Sequence, residues 1–178
     1  MTEPEESANP AGDERKAATD SIDLMAAAWR RERPDIDMSS IGLVSRIWRI
    51  GRHLERHRKQ RFDLMGTDRA TVDVLATLRR SGPPYQRTAG ELMHSSLITS
   101  GGVSQRLDKL ERAGYIERHV DRADRRRVEV RLTPAGIELV DSVLADLMEH
   151  ETKLLGHLSP DEQEALIGLL RKLLSEFE

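Results

Sequence analysis

The chain has 178 residues and a formal net charge of −3, with 28 Lys and Arg against 31 Asp and Glu. Charged side chains make up 33% and aromatic ones only 3%, so the core must come from Leu, Ile, Val, Ala and Met, which favours a mainly helical domain over a β-sandwich. Zero Cys excludes disulfides, thiolate catalysis and thiolate metal sites, and no stretch has the apolar content of a membrane span or signal peptide, so a cytoplasmic protein is expected.

The small net charge conceals segregation. Residues 1–23 sum to −5, 24–84 to +6, 85–133 to +3 and 134–178 to −7. A basic middle between acidic ends suits a polyanionic partner, although a patchily charged solvated surface gives the same pattern.

Residues 1–18 are polar, acidic and aperiodic and are expected to form a disordered tail. From Ser21 to Arg33, Ile22, Met25, Ala26 and Trp29 recur at helical spacing until Pro34. Ser39 or Ser40 then caps a long helix with a stripe of Leu43, Ile47, Ile50 and Leu54, extended by Phe62 and Met65 and closed at Gly66. Thr67 is expected to cap a third helix through Leu78. Thr88 and Glu91 form a capping box for a short fourth helix, and Thr99 caps a fifth with Val103, Leu107 and Leu110 inward and Gly114 as its stop.

Two strands follow. Ile116 and Val120 alternate with Glu117 and His119, and Val128, Val130 and Leu132 with Glu129 and Arg131, around an Arg-dense loop, residues 121–127. Thr133 and Pro134 open another helix, and Ser159, Pro160 and Glu162 cap a last one. The predicted order is five helices, two strands and two helices. It divides into the tail (1–18), N-terminal helices for ligand covering and dimerisation (19–66), a winged helix-turn-helix (67–133) and C-terminal dimerisation helices (134–178).

A helix-turn-helix followed at once by an Arg-rich hairpin has the layout of a winged DNA-binding module, with one helix in the major groove and the wing on the backbone or minor groove. The inward stripe of the fifth helix leaves Ser100, Ser104, Gln105 and Lys109 for DNA, and the loop offers Arg122, Arg125, Arg126 and Arg127. A structural winged helix with a solvated loop, used for protein interaction, is the competing reading.

The run AGYIERHVDRADRRRVEVRLTPAG, residues 113–136, resembles the wing signature of the MarR family of bacterial transcriptional regulators, with Asp124 and Arg126 in the paired wing positions. The resemblance extends from about Ile41 to the C-terminus. It implies a homodimer of two winged lobes joined by terminal helices, bound to a pseudo-palindromic operator and released by a small, often anionic or phenolic, ligand. The long apolar stripes independently call for a second copy, and a two-fold dimer would space its half-sites by about 10 bp.

Ionisable groups also fall on inward faces. Arg106 lies between Val103 and Leu110 and faces the body; Arg118 shares a strand face with Ile116 and Val120; Asp73 stands at the edge of an apolar helix face. Half-buried guanidinium groups require anions, and the expectation is that these arginines await a ligand in place of a permanent partner, although Asp73 neutralising one of them is as simple. An extra N-terminal helix with Trp29, together with Asp73, Arg106 and Arg118, is similar to the urate-responsive, PecS-type branch of the MarR family. That resemblance implies that Trp29 covers the purine, Arg118 pairs with its charge, and repulsion of Asp73 is passed to Arg106. A core role for Trp29, and a phenolic acid or polycarboxylate as effector, stay open.

His53 and His57 are one turn apart but lack further metal ligands, and there is no phosphate loop, nucleophile elbow or acid–base carboxylate pair. No cofactor and no enzymatic activity are expected. The partners expected are duplex operator DNA, a small anionic effector and a second copy of the chain, with no membrane.

Overall fold

The structure, a computed structural model, describes residues 19–95, 100–120 and 128–178. Its elements are α1 (Ser21–Glu32), α2 (Ile41–Leu64), α3 (Arg69–Arg80), β1 (Gln86–Thr88), α4 (Ala89–Ser95), α5 (Ser100–Arg112), β2 (Ile116–Val120), β3 (Val128–Leu132), α6 (Pro134–Leu155) and α7 (Pro160–Leu174). This is the mainly helical chain with a β-hairpin that the periodicity predicts, plus one unforeseen strand. It divides into two units, Met1–Leu54 and Glu55–Glu178, the division falling inside α2.

In the first unit, Asp20 starts α1 by accepting from the Ile22 and Asp23 amides at 2.7 and 3.1 Å, while Asp23 accepts from the Asp20 amide at 3.0 Å. This reciprocal box satisfies amide donors that a helix start leaves without partners. Arg46 of α2 then ties the two helices, donating to Asp20 at 3.0 Å and to Asp23 at 2.7 Å. Ile22 and Ala26 are buried as expected, but Trp29 on the same stripe is 48% exposed. Leu43, Val44, Ile47, Trp48 and Ile50 of α2 are exposed as well.

The second unit is built on Val74, Leu75 and Leu78 of α3, Leu92 of α4, Leu107 and Leu110 of α5, Ile116, Val130 and Leu132 of the sheet, and Val140 of α6. Each fully buried aliphatic side chain contributes roughly 1.5–3 kcal/mol. Phe62 at the end of α2 packs with Val143 and Leu147 of α6. The same pair of helices is joined by Arg58 to Glu151 at 2.6 Å and by Arg61 to Asp146.

Local signals set most helix ends. Thr88 and Glu91 form the expected box, as do Ser159 and Glu162, and Thr133 caps α6 by accepting from the Gly136 amide at 3.1 Å. Gly66 and Gly114 take left-handed φ of 66° and 74°, the conformation that makes glycine the favoured helix stop. The cap of α3 is a correction. Asp68, not Thr67, accepts the Thr71 amide at 2.9 Å, while the Thr67 hydroxyl oxygen is buried without a hydrogen-bond partner among the described residues. A carboxylate is the stronger cap because its charge also meets the positive end of the helix dipole.

The sheet order is β1-β3-β2, antiparallel throughout, with Arg118 opposite Val130 and Arg87 opposite Val130 from the other edge. β1, Gln-Arg-Thr, has no apolar alternation. Its strand conformation is imposed by pairing with β3, a partner more than forty residues away in the chain.

Candidate nucleic-acid interface

α4 and α5 precede the β2–β3 hairpin directly, the arrangement of a winged helix-turn-helix. On α5, Leu107 and Leu110 are in the core, at 3% and 1% exposure, whereas Ser104, Gln105 and Lys109 are exposed together. This follows from helical periodicity: residues three apart share the buried face, and those between them turn to solvent. Ser104, Gln105 and Lys109 therefore form one polar edge, which exposed Asp108 and Arg112 share. The Ser100 side chain and Arg122, Asp124, Arg125, Arg126 and Arg127 lie outside the described residues.

Behind that edge α5 is held by two sets of ion pairs. Arg106 turns to the body, as its position predicts, and donates from Nη1 to Asp68 at 2.6 Å and to the Thr71 hydroxyl at 3.2 Å. Lys109 reaches the same carboxylate at 3.3 Å. Burial pushes the Asp68 carboxyl up, but the Thr71 amide, Arg106 and Lys109 outweigh it and hold the group below the usual range.

On the other side, Arg118 of β2 donates from Nε and Nη2 to Glu111 at 2.8 and 2.5 Å, and from Nη2 to Asp108 at 2.7 Å. The bonds from Arg118 hold the Glu111 carboxyl below its ordinary value against the opposing effect of burial. Both arginines thus have partners within the protein, which corrects the expectation that they wait unpaired. Asp73 is paired with neither: its ion-pair partner is Arg69, one turn back on α3, at 3.9 Å.

Trp29 belongs to the first unit, while Asp73, Arg106 and Arg118 belong to the second. Asp68, Asp108 and Glu111 escaped sequence reasoning. The only available signals were the capping preference of Asp and the three-residue spacing that puts Asp108 and Glu111 on one helix face, neither of which names a distant partner.

Residues 65–127 match the MarR family. The HTH-type transcriptional regulator PecS of Dickeya dadantii is 32% identical over 145 residues, covering 82% of this chain and 87% of that protein. The chain belongs to the MarR family. As a MarR-family member it is a transcription regulator and not an enzyme.

Among solved structures, a mutant of Escherichia coli MarR complexed with operator DNA matches 78% of this chain and 99% of that one, with a TM-score of 0.61 and 26% identity. Bordetella bronchiseptica BpsR, a regulator whose DNA binding is controlled by 6-hydroxynicotinic acid, matches 72% of this chain and 98% of that one, with a TM-score of 0.58 and 25% identity. Among the described residues of this MarR-family chain, no helix is long and apolar enough to cross a membrane.

Proposed function

We propose that this MarR-family regulator is a cytoplasmic repressor that binds a pseudo-palindromic operator as a homodimer and releases it when a small anion binds, with urate the first choice. The observation that carries the DNA reading is the single exposed edge of Ser104, Gln105 and Lys109 on a helix whose opposite face is anchored in the core. In this reading α5 enters the major groove, while Ser100 and the loop residues Arg122, Asp124, Arg125, Arg126 and Arg127 add contacts at the helix start and wing.

The dimer reading is supported by α7, in which Leu166, Leu169, Leu170 and Leu173 are exposed in the single chain, with Phe177 just beyond it at 79%. Such a stripe on an isolated helix calls for a partner, and a second copy supplies the two-fold symmetry of the operator. In this reading residues 19–66 serve ligand covering and dimerisation, 67–133 bind DNA and 134–178 serve dimerisation.

The effector reading rests on the set Trp29, Asp73, Arg106 and Arg118 and on likeness to PecS. Urate is a planar monoanion; an indole can cover its face and a guanidinium can take its charge. Arg118 already serves Glu111 and Asp108, so the anion competes with them; as for any effector, the ligand must favour the non-operator geometry by about 1.4 kcal/mol for each tenfold loss of DNA affinity. A hydroxylated aromatic carboxylate is the second reading, favoured by the likeness to BpsR.

The test is operator binding in gel-shift or anisotropy with increasing urate, and with 6-hydroxynicotinic acid in parallel. Release by urate at lower concentration supports the first reading. Release by the carboxylate alone selects the second, and DNA binding unchanged by Arg126→Ala would favour a protein-interaction module.

A further inference from the structure

The recognition helix is tethered to the wing strand by one guanidinium: Arg118 of β2 spans both Asp108 and Glu111 of α5, ten and seven residues back along the chain. We propose that Asp108 and Glu111 are positioning residues for operator binding, holding α5 in its DNA-reading orientation through Arg118, and that an anionic effector pairs with the Nε and Nη2 edge of Arg118 only in exchange for them. The exchange rests on the effector reading above; the positioning role does not.

Three observations carry the inference. First, Asp108 and Glu111 are three apart and so present their carboxylates on one side of α5, the side facing β2, while Arg106 anchors the opposite flank to Asp68. A helix gripped by opposite charges from two elements has a defined rotation about its axis, and loss of either grip frees the edge that carries Ser104 and Gln105. Second, the Arg118 side chain is 27% exposed and those of Asp108 and Glu111 51% and 39%, so the tether borders solvent and a small anion has access to it. Third, among the described residues Nη1 of Arg118 meets no acceptor, while both Nε and Nη2 converge on one Glu111 oxygen. An incoming planar anion could first engage the open donor and then replace the carboxylates.

Neutralising carboxylates on a DNA-facing helix also strengthens DNA binding simply by removing negative charge, so single substitutions do not isolate the tether. A double-mutant cycle does. A duplex selected from a random pool by the wild-type protein would be titrated with wild type, Arg118→Gln, Asp108→Asn/Glu111→Gln and the combined variant. Arg118→Gln is expected to weaken binding about tenfold, and the carboxylate changes to gain affinity in the Arg118→Gln background but to lose that gain, by about fivefold or more, when Arg118 is present. The gain from Glu111→Arg should be larger in the Arg118→Glu background, where the exchanged pair re-forms, than with Arg118 present, a difference that neither added positive charge nor a folding defect produces. Additive effects with no rescue overturn the positioning role.

The second arm measures urate binding to the DNA-free proteins by calorimetry. The carboxylate variant should bind urate about tenfold more tightly, since no internal anion has to leave. Unchanged affinity in a protein that does bind urate overturns the exchange. A wild-type protein that takes no urate overturns the ligand assignment and the exchange together, while the DNA cycle decides the positioning role independently.

Discussion

Asp68 and Arg106 meet at 2.6 Å, so the carboxylate that opens α3 also anchors α5. The two roles separate by substitution. Asn remains a good helix cap but loses the charge, whereas Ala loses both. Asp68→Asn is expected to cost about 1 kcal/mol and Asp68→Ala about 2 kcal/mol in urea unfolding, with operator affinity falling in both. Equal stability of the two variants would mean that capping contributes nothing here.

Acid should loosen both grips on α5. Asp68 and Glu111 are each held below their ordinary values in the folded protein. A carboxyl whose folded pKa is depressed adds stability above its unfolded pKa, about 4, and loses it as pH falls through the folded value. Thermal midpoints should therefore fall as pH drops below about 5, and the fall should be shallower in Asp68→Asn. A parallel pH profile for wild type and variant would remove Asp68 from the account.

Gln105 and Lys109 share an exposed edge but should fail differently. Gln105→Ala is expected to cost about 1–3 kcal/mol and relax preference at one base position, while Lys109→Ala should weaken all sequences evenly and reduce the salt slope by about 1. Affinity measured across salt and across operator variants separates the two.

On α7, Leu169 is 68% exposed in the single chain. Leu169→Asp would be harmless on a free surface, but in a two-fold interface it buries two unpaired carboxylates. Sedimentation should show a shift to monomer with concurrent loss of operator binding; an unchanged mass would place the dimer contact elsewhere.

Gly136 in α6 passes so close to β2's approach that a Cβ there would lie 2.1 Å from the Tyr115 carbonyl oxygen. Gly136→Ala must push α6 off the backbone at residue 115, at a cost of roughly 1–3 kcal/mol, despite the better helix propensity of Ala. A denaturation midpoint equal to wild type would contradict this.

Local rules suffice where one chemical preference has no competitor. The Thr88–Glu91 and Ser159–Glu162 boxes, the Gly66 and Gly114 stops and the buried placement of Leu107 and Leu110 depend on residues within a turn or two of one another. Thr67 and Asp68 are both good capping residues, and the choice between neighbours turns on backbone geometry that composition does not reveal.

The amino-acid order by itself determined the helical periodicity, the hairpin and the outward edge of α5, because these arise from side-chain spacing along one element. Only the tertiary structure decided that β1 is a strand, that Arg106 belongs to Asp68, 38 residues away, and that Arg118 is occupied by Asp108 and Glu111. Periodicity shows which way a charge faces; which opposite charge meets it depends on how separate elements pack, and that is settled by the core they share.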